Sequence, residues 1–295
     1  NRLPQYNYLL FFNDFFSKLY IKKFDPDIIH ETYYSDKLFR KNKKKIITVF
    51  DLIHEKFKKD FSIKKINEKK LILTKADHFV CISNQTKIDL INYYKIAPHK
   101  ISVTYLGADH FKNIDAKTTG YENEKKYILY VGSREKYKNF NILLDALKIV
   151  KLKDICLICF GGEKISSSLI NEFRNICEIK QVFGDDNTLV SLFKNALCMV
   201  NTSIYEGFSL PNVESMYLGC PLLCNDIPIF KEICGDSVLY FKNNSQDLSK
   251  KLNEIIINDG LRQNLIKSGK LQSLKYKWEL CASETQKIYE SILKN

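Results

Sequence analysis

Short apolar segments and amphipathic segments alternate along most of the chain. The apolar segments have the length of buried strands, and most of them are followed by apolar residues at helical spacing. This alternation predicts an α/β protein built from parallel sheets. The predicted strands cover residues 27–30, 46–52, 78–82, 101–106, 127–131, 155–160, 179–183, 198–202, 221–224 and 238–241.

The amphipathic segments and one polar stretch predict the domain organisation. The polar stretch, residues 113–124, contains Gly120 and has the composition of a linker. We therefore predict two Rossmann-like domains, residues 1–115 and 125–277, followed by a terminal helix at residues 278–295. The predicted helices cover residues 4–23, 61–75, 85–94, 141–150, 188–196, 212–218, 245–257, 261–273 and 278–293.

One junction, residues 203–221, carries the most specific chemistry. It follows a predicted strand, and it contains Pro211 at the start of a helix that ends at Gly219. Proline suits the first turn of a helix, and glycine suits its C-terminal cap. The backbone N–H groups and the dipole at such a helix start suit a phosphate. Glu206 in the loop and Glu214 one turn into the helix can face the same crevice.

This junction resembles the signature of the family-4 retaining glycosyltransferases, which have the GT-B fold. From Glu206 it reads Glu-Gly-Phe-Ser-Leu-Pro, with a second glutamate eight positions later and Gly-Cys-Pro from Gly219. Ser209 and Ser215 replace a glycine and an alanine of the family pattern. Another interpretation is that both glutamates are solvated carboxylates near a helix start, where the dipole favours them.

The resemblance implies how a nucleoside-diphosphate sugar would be bound. A second matching run, Tyr-Val-Gly-Ser followed by a basic residue and Lys-Asn, assigns Arg134 and Lys138 to the donor diphosphate. Glu206 would contact the transferred sugar near the developing positive charge, and Glu214 would accept hydrogen bonds from the ribose hydroxyls. The other donor-binding positions implied are Gly132, Gly184, Gly207, Phe208, Ser209 and Leu210.

We expect the reaction to need no metal and no cofactor. Two fixed cations and a helix start can stabilise the charge that develops on the leaving diphosphate. Arg134 and Lys138 could also belong to a solvated basic loop, but their position after a parallel strand favours ligand binding. Cys156 and Cys159 have CxxC spacing on one predicted strand, where they point to opposite faces and cannot share a metal.

The first half of the chain resembles the acceptor domain of the same family. The matching runs begin at Asp27, at Thr48 and at Leu106. Phe50 stands where many members have histidine, so His54 is the candidate on the acceptor side, although a lone histidine is often a structural hydrogen-bonding group. The strand and glycine-rich loop with which members begin have no counterpart before residue 27. We therefore expect an incomplete N-terminal domain.

The net charge of +12 is concentrated in the first half, where residues 1–120 hold 23 basic and 13 acidic residues. The predicted helix at residues 4–23 combines lysines with aromatic residues. It either packs on the first sheet, which so many bulky apolar residues favour, or lies on an anionic membrane. The sequence contains no recognisable nucleic-acid-binding motif, so we expect no nucleic-acid partner.

Together these features predict a cytoplasmic, metal-independent hexosyltransferase. It would move a sugar from a nucleoside-diphosphate sugar to a glycan or lipid-linked acceptor in surface polysaccharide synthesis, with peripheral contact at the inner membrane face left open. The alternative is a catalytically inactive nucleotide-sugar-binding protein, since the acceptor half is incomplete and carries Phe50. The nine cysteines indicate reduced thiols in a cytosolic protein rather than disulfides or zinc ligands.

Overall fold

A computed structural model describes residues 4–32, 34, 37–38, 42–114, 126–152 and 154–294. The chain forms two compact units, Asn1–Tyr105 with Ala282–Asn295, and Leu106–Cys281. Each unit contains one parallel sheet with helices in its connections, which confirms the predicted α/β class. Most of the linker predicted at residues 113–124 lies outside the described residues.

The first unit contains a four-stranded parallel sheet with the strands in chain order. Its strands are β1 (Ile28–Glu31), β2 (Lys44–Val49), β3 (His78–Cys81) and β4 (Ile101–Val103). Its first helices are α1 (Pro4–Phe24), α2 (Ile53–Lys56), α3 (Ile63–Leu73) and α4 (Asn84–Tyr94).

The second unit contains a six-stranded parallel sheet in the order β10-β9-β8-β5-β6-β7. Its strands are β5 (Tyr127–Val131), β6 (Cys156–Phe160), β7 (Glu178–Val182), β8 (Cys198–Asn201), β9 (Leu222–Asn225) and β10 (Leu239–Phe241). Its helices are α5 (Phe140–Val150), α6 (Ser167–Phe173), α7 (Asp186–Asn195), α8 (Leu210–Leu218), α9 (Pro228–Cys234), α10 (Ser245–Ile257) and α11 (Asp259–Ser273).

The strand order of the second sheet reverses between β5 and β8. The chain builds β5, β6 and β7 in one direction and then returns to the other side of β5, where Ile128 pairs with Cys198 and Leu129 with Met199. The carboxyl ends of β5 and β8 are therefore neighbours. In open α/β sheets this reversal opens a crevice in which ligands bind.

The core of the second unit explains why its strands are apolar at almost every position. Helices α5 and α10 pack together against the sheet, and Leu143, Leu147, Leu248 and Leu252 join Ile128 in one buried cluster. A strand with both faces covered needs apolar side chains on both, as a parallel sheet requires. Burying each such side chain stabilises the fold by about 1.5–3 kcal/mol.

The last helix, α12 (Trp278–Lys294), spans the boundary between the two groups of residues. Residues 282–294 belong to the first unit, where Ile288 and Ile292 pack with Ile46 and Val80. Ile288 and Ile292 are four residues apart, so they lie on one face of α12. This contact adds a small second cluster to the core of the first sheet.

Helix α1 differs from the packed helix that the sequence favours. Its described aromatic and leucine side chains are 48–66% exposed. Their spacing places them on one face of α1. The periodicity therefore predicted the helix correctly, but it did not show whether that face is buried. None of the described helices combines the length and hydropathy that a membrane crossing requires. The exposed residues are Phe12, Phe15, Phe16, Leu19, Tyr20 and Phe24.

Three short helices, α2, α6 and α9, are absent from the sequence-based prediction. They contain four to seven residues, too few to show a helical period. The junction helix α8 begins at Leu210, two residues earlier than predicted, so Pro211 is its second residue rather than its first. Its end at Gly219, which has a φ of 76°, agrees with the prediction.

Gly107 provides a test of the packing in the second unit. A Cβ at this position would lie 2.3 Å from the backbone nitrogen of Trp278 and 2.7 Å from the carbonyl carbon of Lys277. We expect Gly107→Ala to lower the free energy of unfolding by at least about 1–3 kcal/mol, as overpacking does. The measurement is urea unfolding followed by circular dichroism.

Gly260→Ala is the matched control for Gly107→Ala. Gly260 lies in α11, and the nearest atom to an added Cβ is Asn258 Oδ1 at 3.5 Å. Alanine is the better helix former, so this variant should be more stable by about 0.5–1 kcal/mol. Equal effects of the two substitutions would contradict the packing described for Gly107.

Candidate active site

The loop after β5 places Arg134 at the carboxyl end of the sheet. Its Nη1 donates to the Gly161 carbonyl at 3.2 Å, and its backbone N–H donates to Glu163 Oε2 at 3.2 Å. Its Nη2 is buried and has no hydrogen-bond partner among the described residues. Buried polar groups are nearly always paired, so this nitrogen is a feature that requires an explanation.

Lys138 and Glu206 form an ion pair between the loops that follow β5 and β8. Lys138 Nζ lies 2.6 Å from Glu206 Oε1, and the Ser203 hydroxyl donates to the same oxygen at 2.7 Å. The Thr202 hydroxyl donates to the Lys138 carbonyl at 2.7 Å. The two loops are therefore fixed to each other by side chains and backbone, and the carboxylate of Glu206 has a defined orientation.

A network of amide side chains supports the loop that carries Glu206. Asn201 Nδ2 donates to Ser209 Oγ at 3.0 Å and to Asn212 Oδ1 at 2.7 Å, while Asn201 Oδ1 accepts from the Ser203 N–H at 3.1 Å. Asn225 Nδ2 donates to the Ser203 carbonyl at 3.1 Å. These groups were not predicted from the sequence. The sequence does contain a feature that could have indicated Asn201 and Asn225. Each is the polar last residue of an otherwise apolar strand, β8 or β9.

The start of α8 contains a non-glycine residue with left-handed backbone. Ser209 has a φ of 79° and precedes Leu210, the first helical residue. Glycine adopts this conformation without cost, which accounts for the glycine of the family pattern. In this chain the hydrogen bond from Asn201 to the Ser209 hydroxyl offsets part of the strain. The Phe208 side chain is buried edge-to-face against Tyr276, so only its backbone is a candidate for ligand contact.

Glu214 is buried in α8, and only 8% of the residue is exposed. Burial and then the nearby negative charge of Asp186 raise the pKa of Glu214 to about 7. His110 Nε2 lies 3.7 Å from Glu214 Oε1, within ion-pair distance. The indole N–H of Trp278 donates to His110 Nδ1 at 3.4 Å. His110 is a functional candidate that sequence reasoning missed, because it adjoins the matched Leu-Gly-Ala-Asp run without belonging to it.

The other predicted positions lie at strand ends or in the first unit. Gly132 follows β5 and Gly184 closely follows β7, while Gly207 lies in the loop after β8. His54 lies on α2 in the first unit, and its ring packs edge-to-face on Phe61 with ring centroids 4.3 Å apart. The structure therefore brings Lys138 and Glu206 into contact, and it leaves the role of His54 as a prediction.

The described residues also bear on metal and disulfide chemistry. They contain no group of three or more His, Cys, Asp or Glu side chains arranged to hold a metal ion. None of the nine cysteines forms a disulfide, and eight are buried. Cys156 and Cys159 both lie in β6, on the strand that was predicted for them.

Comparison with known sequences identifies the family. The sequence model described as "Glycosyl transferases group 1" matches residues 111–272, and the one described as "Glycosyltransferase Family 4" matches residues 1–110. The chain belongs to the group 1 glycosyltransferases. This confirms the resemblance drawn from residues 203–221.

Curated relatives of this group 1 chain carry glycosyltransferase names. An uncharacterized glycosyltransferase of Methanocaldococcus jannaschii is 28% identical over 76% of this chain and 62% of its own length. The O-antigen chain mannosyltransferase B of Escherichia coli is 27% identical over 56% of this chain and 45% of its own length.

A third relative is named for its acceptor and its transferred sugar. It is the Campylobacter jejuni N-acetylgalactosamine-N,N'-diacetylbacillosaminyl-diphospho-undecaprenol 4-alpha-N-acetylgalactosaminyltransferase, which is 27% identical over 65% of this chain and 54% of its own length. The group 1 chain therefore spans 45–62% of the length of these three relatives.

Solved structures agree with the predicted GT-B fold. A sucrose-phosphate synthase from Thermosynechococcus elongatus matches with a TM-score of 0.76 and 19% identity, over 94% of this chain and 76% of its own. Anabaena HepE in complex with UDP-glucose matches with a TM-score of 0.72 and 15% identity, over 91% of this chain and 79% of its own. The group 1 chain thus has the two parallel-sheet Rossmann-like domains of that fold.

The raised pKa of Glu214 predicts a pH-dependent stability. The pKa is about 7 in the folded chain against an ordinary value of 4.5, so the folded state binds this proton more tightly than the unfolded state. The stabilisation is complete below about pH 4.5 and is lost as pH rises through about 7. Glutamine cannot ionise, so Glu214→Gln should exceed the wild type in unfolding free energy by about 1–3 kcal/mol at pH 8 and match it near pH 4.

Urea unfolding of both proteins at the two pH values measures this difference. Glu135→Gln serves as the control, since Glu135 is an exposed glutamate in the same unit. A constant difference between wild type and Glu214→Gln at both pH values would show that Glu214 does not titrate as described.

Proposed function

We propose that the chain is a retaining glycosyltransferase that moves a sugar from a nucleoside-diphosphate sugar to a glycan or lipid-linked acceptor. The observation that carries the proposal is the Lys138–Glu206 pair at the reversal of the second sheet, with Arg134 on the same loop. The names of the Escherichia coli and Campylobacter jejuni relatives support O-antigen or undecaprenol-linked acceptors. The UDP-glucose complex of the Anabaena neighbour supports a nucleotide-sugar donor.

We propose that Arg134 and Lys138 stabilise the leaving diphosphate. When the bond between sugar C1 and the phosphate oxygen breaks, negative charge develops on that oxygen. The buried, unpaired Nη2 of Arg134 and the ammonium of Lys138 supply positive charge on the loop after β5. The start of α8 adds partial positive charge, with the N–H of Leu210 as a donor, since Pro211 has no N–H. This arrangement supports a reaction that needs no metal.

We propose that Glu206 stabilises the positive charge that develops on the sugar. Lys138 and Ser203 both donate to Oε1 of Glu206, which fixes the orientation of the carboxylate before the donor binds. The acceptor hydroxyl attacks C1 on the face that the diphosphate leaves, and its proton passes to the departing phosphate oxygen. This same-face substitution retains the anomeric configuration. Glu214 accepts hydrogen bonds from the ribose, away from the reacting carbon.

The remaining assignments follow the family pattern. The backbone of Gly132, Gly184 and Gly207, at strand ends or in the loop before α8, would contact the donor, and His54 would act on the acceptor side. The relatives named above are transferases, so we favour catalysis over nucleotide-sugar binding without activity. A sugar-transfer assay separates the two functions directly.

The function is tested by single substitutions on the loop after β5. We expect wild-type transfer from a nucleotide sugar, found by screening UDP- and GDP-sugars, to persist in EDTA. Lys138→Ala should lower kcat/KM by roughly 10²–10³, as loss of one preorganised charged partner does. Lys136→Ala is the control, because Lys136 is an exposed lysine in the same short 3-10 turn and should keep near-normal turnover.

Two outcomes would refute these assignments. Equal turnover of the Lys136 and Lys138 variants would mean that Lys138 does not act on the diphosphate. Loss of wild-type activity in EDTA, restored by Mg²⁺ or Mn²⁺, would refute the metal-free leaving-group site. The configuration of the product at its anomeric carbon, read by NMR, tests retention.

We also propose peripheral contact of α1 with an anionic membrane, where a lipid-linked acceptor would lie. The exposed aromatic face of α1 includes Phe16 and Tyr20, and Lys22 and Lys23 adjoin it near the end of the helix. Aromatic side chains suit the boundary between headgroups and acyl chains, and the lysines complement anionic lipid.

Vesicle co-sedimentation tests the contact. A double variant, Phe16→Ser with Tyr20→Ser, should bind phosphatidylglycerol vesicles at least about tenfold more weakly than the wild type, and phosphatidylcholine vesicles should bind neither protein well. Ile257→Ser with Leu271→Ser is the control, since these side chains are 72% and 62% exposed in the second unit. Equal loss in both double variants would contradict a role for α1.

A further inference from the structure

Among the described residues, Glu214 has one side chain within ion-pair distance that can carry positive charge, and it is His110. The 3.7 Å between His110 Nε2 and Glu214 Oε1 is within ion-pair range and just outside hydrogen-bond range. The Glu214 side chain is 11% exposed, whereas the imidazole is 35% exposed. The imidazole is therefore the more exposed member of the pair, and the carboxylate is largely excluded from water.

The position of His110 is fixed by the backbone around it. Gly107 approaches the backbone of Trp278 so closely that an added Cβ would lie 2.3 Å from its nitrogen. The Trp278 N–H donates to Asp109 Oδ1 at 2.8 Å. These contacts restrain the backbone beside His110, and the contact of its Nδ1 with the Trp278 indole N–H orients the imidazole.

Trp278 also selects the proton position on His110. An indole N–H can only donate, and it faces Nδ1 of His110 at 3.4 Å. The Nδ1 atom must then offer its lone pair, so the neutral imidazole carries its hydrogen on Nε2. That N–H is the one that faces Glu214. The arrangement points an N–H towards the carboxylate from 3.7 Å and does not require a charged imidazole.

We propose that His110 is a positioning residue that keeps the Glu214 carboxylate ionised and oriented for the ribose hydroxyls of the donor. An ionised carboxylate can accept from both ribose hydroxyls, whereas a protonated one has lost part of its acceptor capacity. The inference rests on the proposed function, because it takes Glu214 as the ribose-binding group.

The other charges around the pair oppose ionisation or serve other partners. Burial, and then the charge of Asp186 in the first turn of α7, raise the pKa of Glu214 to about 7. His110 is the neighbour whose N–H, 3.7 Å from the carboxylate, would favour the ionised form. Other charged groups on adjoining elements include Asp109, which accepts from Trp278, and Lys270 of α11, which lies over Gly219 at the other end of α8. They also include Lys231 of α9, which pairs with Asp226, and Arg262 of α11, which pairs with Asp259.

The first test is a titration of Glu214 in the ligand-free protein. Side-chain ¹³C NMR of glutamate-labelled protein follows the carboxyl carbon, and Glu214→Gln identifies its signal. His110→Ala should raise the pKa of Glu214 by about one unit, a tenfold change in its ionisation equilibrium. His110→Gln places an amide N–H near the former Nε2 and should restore a value close to that of the wild type.

The second test is calorimetry with UDP and GDP between pH 6 and pH 9. If only the ionised carboxylate binds ribose, affinity follows its ionised fraction. A rise of one unit from about 7 predicts that His110→Ala binds the preferred nucleotide about fivefold more weakly at pH 7. The two proteins should converge near pH 9, and Glu214→Gln should stay weaker throughout.

An unchanged pKa of Glu214 in His110→Ala would overturn the inference. So would an affinity loss of equal size at every pH, because a merely structural role of His110 would weaken binding without a pH profile. Failure of the wild type to bind either nucleotide would instead contradict the proposed function. The carboxyl titration would still decide whether His110 controls the ionisation of Glu214.

Discussion

The parallel pairing of β5 with β8 is the constraint on which the candidate site depends. These strands are separated by 66 residues of chain, and the pairing brings their carboxyl ends side by side. Lys138 then meets Glu206, although neither residue is near the other in sequence. The loops are short and are tied together by Ser203 and Thr202, so the geometry of the ion pair follows from the sheet.

Polar groups at the carboxyl ends of β5 and β8 and in α8 lower the stability of the fold. Arg134 keeps a buried nitrogen without a partner, Ser209 has left-handed backbone, and Glu214 is buried with a pKa near 7. Such features are rare in parts of a protein whose role is only structural, and they cluster at functional sites. The hydrogen bond from Asn201 to the Ser209 hydroxyl supports one of these features, the left-handed Ser209.

The sequence predicts the sheets well because buried parallel strands are nearly continuous apolar runs, as in residues 127–131 and 155–160. The family motif also makes Lys138, Glu206 and Glu214 candidate site residues, because it fixes which residue types stand at which spacing, and their roles stay predictions. The contact between Lys138 and Glu206 could not be predicted from periodicity, because it depends on the strand order. His110 was missed for the same reason: its partners, Glu214 and Trp278, are far along the chain. Helix α1 shows a further limit of sequence-based prediction. Its helical period is clear, but the period does not show whether the apolar face is buried or exposed.

The distribution of the cysteines has a practical consequence for the study of this protein. Eight of the nine thiols are buried, and Cys281 is the half-exposed one. Burial raises the pKa of Cys159 and Cys220 to about 12, so little thiolate forms at neutral pH and a water-borne alkylating reagent has little to react with. In the native protein such a reagent therefore labels chiefly Cys281, and each further label records an opening of the core around a particular thiol. Because the buried thiols occur on β3, β6, β8, β9 and α9, among other positions, mass spectrometry of alkylated peptides can map which unit opens first without any engineered probe.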